Sequence, residues 1–256
     1  DHLDHFPNRY FAHSGKEEVA LHLSMTVRFR QESLEETIDP EHLAVVEWRD
    51  DLRRSLTIVN VVTKDRPGLF EKVTGAFAIA GMNILGARAF TRSDEVAIDV
   101  FFVEQDDLAL GANETETRQA FESSLSDLLA GRNSPELLIR ERRRKLDGRN
   151  PLTPNDRLGA TIAPNIDVYR DDVAGRTIVE IRAADRPGLL HLVAKNISDC
   201  GLDIAFARIA TEHGVASDVF HVEPTTPEEA YSPTRYLDLR ERLGQALTAG
   251  HYHVEA

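Results

Sequence analysis

Hydrophobic positions along the chain fall into one pattern that occurs twice. Residues Thr57 to Thr91 read TIVNVVTKDRPGLFEKVTGAFAIAGMNILGARAFT, and Thr177 to Thr211 read TIVEIRAADRPGLLHLVAKNISDCGLDIAFARIAT, at a constant offset of 120 residues. After a one-residue deletion the match resumes, VAIDVFFVE at 96–104 against VASDVFHVE at 215–223. A match this long with a single gap is an internal repeat, and the repeat organises the fold. In each copy a short β-branched run (TIVNVVT, TIVEIRA) predicts a strand. Asp-Arg-Pro-Gly then breaks it. Asp65 or Arg66 is placed to cap a helix, and Pro67 suits the first turn, where a missing N–H costs nothing. Leu69, Phe70, Val73, Phe77 and Ala80 recur at helical spacing, and Leu189, Leu190, Val193, Ile197 and Cys200 repeat them. Gly81 and Gly201 stand where a left-handed C-cap belongs. A hairpin follows, with strands at Asn83–Thr91 and Val96–Glu104; its second copy turns through Glu212-His213-Gly214.

A second amphipathic helix is predicted at Thr115–Ala130, with Phe121, Leu125, Leu128 and Leu129 inward. Its counterpart is Arg235–Thr248, with Leu237, Leu239, Leu243 and Leu247. A last strand should close each unit: Ala160–Tyr169 after a long insertion in the first, His251–Glu255 in the second. The expected order is βαββαβ. The fold class is therefore α+β: two tandem ferredoxin-like units, antiparallel sheets with helices on one face, preceded by a short helical segment. The expected domains are 1–51 as that segment, 52–170 as the first unit with an insertion at about 132–158, and 175–256 as the second. Lys16–Arg30 reads as a helix and Val45–Trp48 as a strand leading into the repeat.

Composition narrows the function. Of 256 residues, 41% are hydrophobic, enough for a real core. Thirty Lys and Arg against 43 Asp and Glu give a net charge of −13, a poor match to a phosphate backbone, so no nucleic-acid partner is expected. An RNA-binding sheet would need exposed aromatics; Phe101 and Phe220 are the candidates on the central strands, without a basic run beside them. RERRRK at Arg140–Lys145 reads as the solvated face of a short helix rather than as an anion patch. The one cysteine, Cys200, fits a reducing, cytoplasmic setting and reads as a small buried hydrophobe. No apolar run approaches the roughly 20 residues that span a bilayer, so no membrane association is expected. The chain opens on Asp1-His2-Leu3-Asp4, without a signal peptide or an initiator Met, and reads as the C-terminal piece of something longer.

The repeat core, strand–DRPGL–helix–Gly-x-(Asn/Asp)-Ile, resembles the ACT family, regulatory modules of amino-acid and nitrogen metabolism. The chain looks more similar still to the C-terminal end of the bifunctional uridylyltransferase/uridylyl-removing enzymes, which modify the PII nitrogen-signalling protein and end in two ACT domains. TIVEIRAADRPGLL, the segment His5-Phe6-Pro7-Asn8-Arg9-Tyr10 with the helix after it, and the spacer ending in ATIAPNIDVY carry that similarity. It implies an amino-acid ligand, glutamine above all, and ACT–ACT packing within the chain or with another copy. It also implies PII or the missing catalytic domains as protein partners. The catalytic signatures of those enzymes, Gly-Ser…Asp-x-Asp and an adjacent His-Asp pair, do not occur, so no catalytic residue, cofactor or metal is expected. His2, His5, His13 and His22 lack metal-site spacing and read as surface histidines. The alternative is a free-standing ACT-repeat regulator that binds another amino acid and acts through a partner.

The candidate ligand residues are Asp65, Gly68, Leu69, Phe70, Asn83 and Ile84, and their counterparts Asp185, Gly188, Leu189, Leu190, Asp203 and Ile204. A helix N-terminus offers N–H groups and positive partial charge to an α-carboxylate. Glycine lets a ligand approach the backbone. Asn83 or Asp203 would accept from the α-ammonium. The residues alone equally allow a purely structural turn, and the resemblance favours binding. Arg88 with Asp99, and Arg208 with Asp218, read as structural cross-strand pairs if Thr91 opposes Val96 and Thr211 opposes Val215.

Overall fold

In the computed structural model, which describes residues 2–35, 39–104, 114–132, 135, 162–171, 176–186, 188–225 and 232–249, the repeat becomes two antiparallel sheets side by side. A short N-terminal layer comes first, α1 (Asn8–His13) and α2 (Lys16–Glu32). The first unit is β1 (Ala44–Asp51), β2 (Leu56–Lys64), α3 (Leu69–Ala80), β3 (Asn83–Thr91), β4 (Val96–Glu104) and α4 (Glu114–Leu129). The second is β5 (Asn165–Asp171), β6 (Arg176–Ala184), α5 (Leu189–Asp199), β7 (Leu202–Arg208), β8 (Thr211–Glu212), β9 (Val215–Pro224) and α6 (Pro233–Ala249). The strands are ordered β1-β2-β4-β3 and β5-β6-β9-β7, with β8 pairing β9. Both units are ferredoxin-like, as the periodicity predicts.

The fourth strand of each sheet comes from elsewhere than expected. Residues 160–169 do not close the first unit. β5 pairs with β6, from Asn165↔Arg182 to Asp171↔Arg176, and so opens the second. The first sheet is completed by β1, paired from Ala44↔Thr63 to Asp51↔Leu56. Each unit therefore runs ββαββα, and the first begins at 44 rather than 52. A tight antiparallel connection delivers this edge strand without any crossover, which makes it the shorter route. Trp48 then caps the helical layer. Its ring meets Phe121 edge-on at 5.3 Å, and its Nε1–H donates to Glu122 at 2.9 Å. The strand expected at His251–Glu255 and the basic run Arg140–Lys145 lie outside the described residues.

Helices α3 and α5 pack against each other, as do the edge strands β3 and β7, so the two units share one core. Phe77 lies at its centre in the first unit, 4.8 Å from the Phe101 ring and 4.2 Å from Phe121. Phe101 and Phe220 are fully buried beneath the helices, so neither offers a face to a base. The other face of the first sheet is covered too. Phe6, Tyr10, Met25 and Phe29 pack on Val62, Phe90 and Ile98. This explains why β2 is buried almost throughout while β6 alternates: only the second sheet keeps an open face. His22 is not a surface residue. It is fully buried, taking the Tyr10 O–H at Nδ1 (2.7 Å) and donating from Nε2 to Asn60 Oδ1 (2.9 Å). Burial holds its pKa below the ordinary histidine value.

The cross-strand charge pairs do not form. Thr91 opposes Ala97, so Arg88 opposes Val100 and Ala89 opposes Asp99. In the second unit Thr211 opposes Ala216 and Arg208 opposes Val219. The first turn is one residue longer than expected, closing with Arg92 N–H to the Val96 carbonyl at 2.9 Å. A one-residue slip sends each side chain to the opposite face. Arg88 consequently points to the N-terminal layer, where it binds Glu18 at 2.6 Å, while Asp99 turns inward and is buried.

Candidate functional site

The expected caps are replaced by glycine. Gly68 and Gly188 occupy the N-cap positions with φ of 73° and 78°. This left-handed conformation explains the glycine more directly than ligand access does. The helix starts after it, at Leu69, whose N–H bonds the Arg66 carbonyl at 3.1 Å, so Pro67 is not the first helical residue. Asp65 therefore does not cap. Its carboxylate is hydrogen-bonded to Thr91 and the Arg66 N–H, and burial pushes its pKa up.

Two clefts form where the units meet, and each is lined mostly by one repeat with a few residues of the other. The larger brings Asp185, Gly188, Leu189 and Leu190 together with Asn83 and Ile84. The smaller brings Asp65, Leu69 and Phe70 together with Asp203 and Ile204. The expected residues thus assemble, but in exchanged pairs: the loop of one copy faces the strand start of the other. Gly68 is drawn in differently. Its N–H donates to the Asp203 carboxylate, so Asp203 occupies a donor that a ligand carboxylate would need. A Cβ on Gly68 would also lie 3.0 Å from Ser198 Oγ of the second unit.

Several residues of these clefts carry no signal in the hydrophobic periodicity. Asp218 lines the larger cleft and Asp99 the smaller. Burial lifts the Asp218 pKa to about 7, with Asp185 adding to it and the Ala210 N–H opposing it. Burial, then the Asp65 carboxylate, lifts Asp203 to about 6. Burial and the charges of Asp65 and Asp203 hold Asp99 well above the usual carboxylate range. The smaller cleft thus gathers three carboxylates, whereas Asn83 stands in the larger one where the third would be. The correct hairpin register would have turned both β-strand aspartates inward; the signal lay in the turn length. His191 and Thr74 of the larger cleft carried no motif at all.

The larger cleft sets Asp218 and the Asn83 side chain near the first turn of α5, whose N–H groups carry positive partial charge. Among the described residues, no group of three or more His, Cys, Asp or Glu is arranged to hold a metal ion. No helix there is long and apolar enough to cross a membrane.

Residues 57–120 match the ACT domain family. The bifunctional uridylyltransferase/uridylyl-removing enzyme of Rhodospirillum rubrum is 33% identical over 204 residues, 79% of this chain and 21% of that protein. That of Gluconobacter oxydans is 33% identical over 197 residues, 77% of this chain and 20% of the relative. The chain thus spans about a fifth of the length of these relatives. A crystal structure of an unknown protein from Galdieria sulphuraria aligns over 75% of this chain and 91% of its own, at 14% identity and a TM-score of 0.23.

Proposed function

The chain carries an ACT domain at 57–120 and repeats its topology in a second unit, and from that premise we propose that it is a regulatory amino-acid-sensing module. In this reading it senses glutamine as the C-terminal part of a PII uridylyltransferase/uridylyl-removing enzyme, in cytoplasmic nitrogen regulation. The chain divides into a connecting segment at 2–43 and units beginning at β1 and β5. The observation that carries the reading is the exchanged cleft. A ligand held between Gly188–Leu190 of one unit and Asn83 of the other bonds to both, so its free energy of binding acts on how the units pack. Catalytic domains, or PII itself, would read that packing. The resemblance to the C-terminal end of uridylyltransferases makes glutamine the amino acid to test first.

Isothermal titration of the chain with the twenty L-amino acids is the test. Glutamine should bind, and Asn83→Leu should weaken it tenfold or more, about 1.4 kcal/mol. Binding of another amino acid instead would favour a free-standing regulator with a different effector. Binding of none would overturn the reading.

A further inference from the structure

His191 stands in the first turn of α5 and lines the larger cleft beside Thr74, Asn83 and Asp218. Only 5% of it is exposed. Its Nδ1 lies 3.0 Å from the backbone carbonyl of Glu71 in α3. A carbonyl only accepts, so Nδ1 carries the hydrogen. In the neutral imidazole the other nitrogen is then a bare acceptor. That nitrogen, Nε2, is buried and has no hydrogen-bond partner among the described residues. The ring cannot readily turn away. It rests against Gly75, where a Cβ would come within 3.1 Å of Nδ1 and 3.4 Å of Cε1.

A buried acceptor with no donor is an energetic debit that a suitable ligand removes. We propose that His191 Nε2 is the specificity-determining acceptor of this cleft, selecting amino acids whose side chain ends in an N–H donor, a primary carboxamide, over their carboxylate counterparts. The amide NH₂ completes the hydrogen bond that the cleft leaves open. A side-chain carboxylate presents lone pairs to a lone pair and is rejected. The argument rests on the reading that the cleft holds an amino acid and adds which end group it selects. The selection belongs to this cleft alone. The matching position of the first repeat is Glu71, whose carboxylate lies 4.0 Å from the Lys195 ammonium.

The test is calorimetric titration of the 256-residue chain with L-glutamine, L-asparagine, L-glutamate and L-norleucine, and of the variants His191→Asn and His191→Phe. The wild-type chain should prefer glutamine or asparagine to glutamate and norleucine by at least tenfold. Both variants should lose at least tenfold toward the amide while changing little toward norleucine. His191→Asn keeps a donor for the Glu71 carbonyl, so its melting temperature should stay near that of the wild type and separate recognition from folding. Unchanged amide affinity in a folded His191→Asn, or equal wild-type affinity for glutamine and glutamate, overturns the role of His191 and leaves the amino-acid reading standing. No binding of any of the four to the wild type, with binding of other amino acids, overturns the end-group selection. No binding of any amino acid overturns both.

Discussion

Asp218 and Asp203 hold protons that the unfolded chain releases. Their folded pKa values are about 7 and about 6, against roughly 3.9 for an unperturbed aspartate. Below about pH 4 both states are protonated and neither group favours unfolding. As pH rises through the window from about 4 to about 7 the unfolded chain ionises freely while the folded one resists. Stability is therefore lost as pH rises, the reverse of a salt-bridged carboxylate. Thermal unfolding should show a higher midpoint at pH 5 than at pH 8. Asp218→Asn should stabilise the chain more at pH 8 than at pH 5, by on the order of 2 kcal/mol, and so flatten the profile. A slope that persists unchanged in the variant would show that Asp218 does not set it. Ligand binding follows from the same residue. An ammonium beside Asp218 favours its ionised form, so amino-acid affinity should rise between pH 5.5 and 8, with proton release detectable by titrating in buffers of different ionisation enthalpy.

At the scale of elements, the N-terminal layer is pinned to the hairpin of the first sheet. Arg92 is buried at the β3–β4 turn, paired with Asp94 at 2.9 Å and lying over the Phe6 ring at 4.5 Å. Arg30 binds the same Asp94, and Arg88 joins α2 through Glu18. Phe6→Ala removes the apolar half of this anchor and should cost about 3 kcal/mol, with faster hydrogen exchange in α1 and α2 than in α5 as the local readout. The second sheet touches this layer through Phe206 and should feel the change least at β5 and β6. Gly86 marks another element-level constraint. It sits at the β3 irregularity, and a Cβ there would meet the Phe102 ring at 3.1 Å and the Ile209 carbonyl of the other unit at 3.3 Å. Gly86→Val should force the units apart and lower the melting temperature several degrees. Helix α3 and the strands on either side of the first turn were legible because their apolar spacing is long and local. The role of β1 was not, since an edge strand is assigned by which partner it reaches, and the weak match of AVVEWRDD at 44–51 to NIDVYRDD at 165–172 lies one residue out of step with the main offset. The inward turn of Asp99 and Asp218 was hidden for a related reason: one residue in a turn, invisible to periodicity, reverses a whole strand.

Across the whole molecule the two clefts are related by the repeat yet unequal. Asp203 takes the Gly68 N–H in the smaller, while Asn83 leaves the larger without that third carboxylate. One ligand should therefore bind per chain. Asp203→Asn makes the smaller cleft resemble the larger and should add a second, weaker class of sites in calorimetry. A stoichiometry of two in the wild-type chain would contradict the inequality. Which amino-acid residues gather at a cleft was readable from the DRPGL loops and the Asn83 and Asp203 positions. That they gather across the units rather than within one was not, because a sequence comparison aligns copies without placing them against each other.

That exchange bears on descent. A single repeat alone carries two half-sites and no whole one, so an ancestor of one repeat length would have had function only as a symmetric pair of identical subunits, with two identical pockets. Two copies in one chain are free of that symmetry constraint. In a dimer every substitution appears in both pockets at once; in the fused chain Glu71 and His191, or Asn83 and Asp203, diverge independently. Either pocket can then change its chemistry without changing the other, a route to heterogeneity that a homodimer does not have.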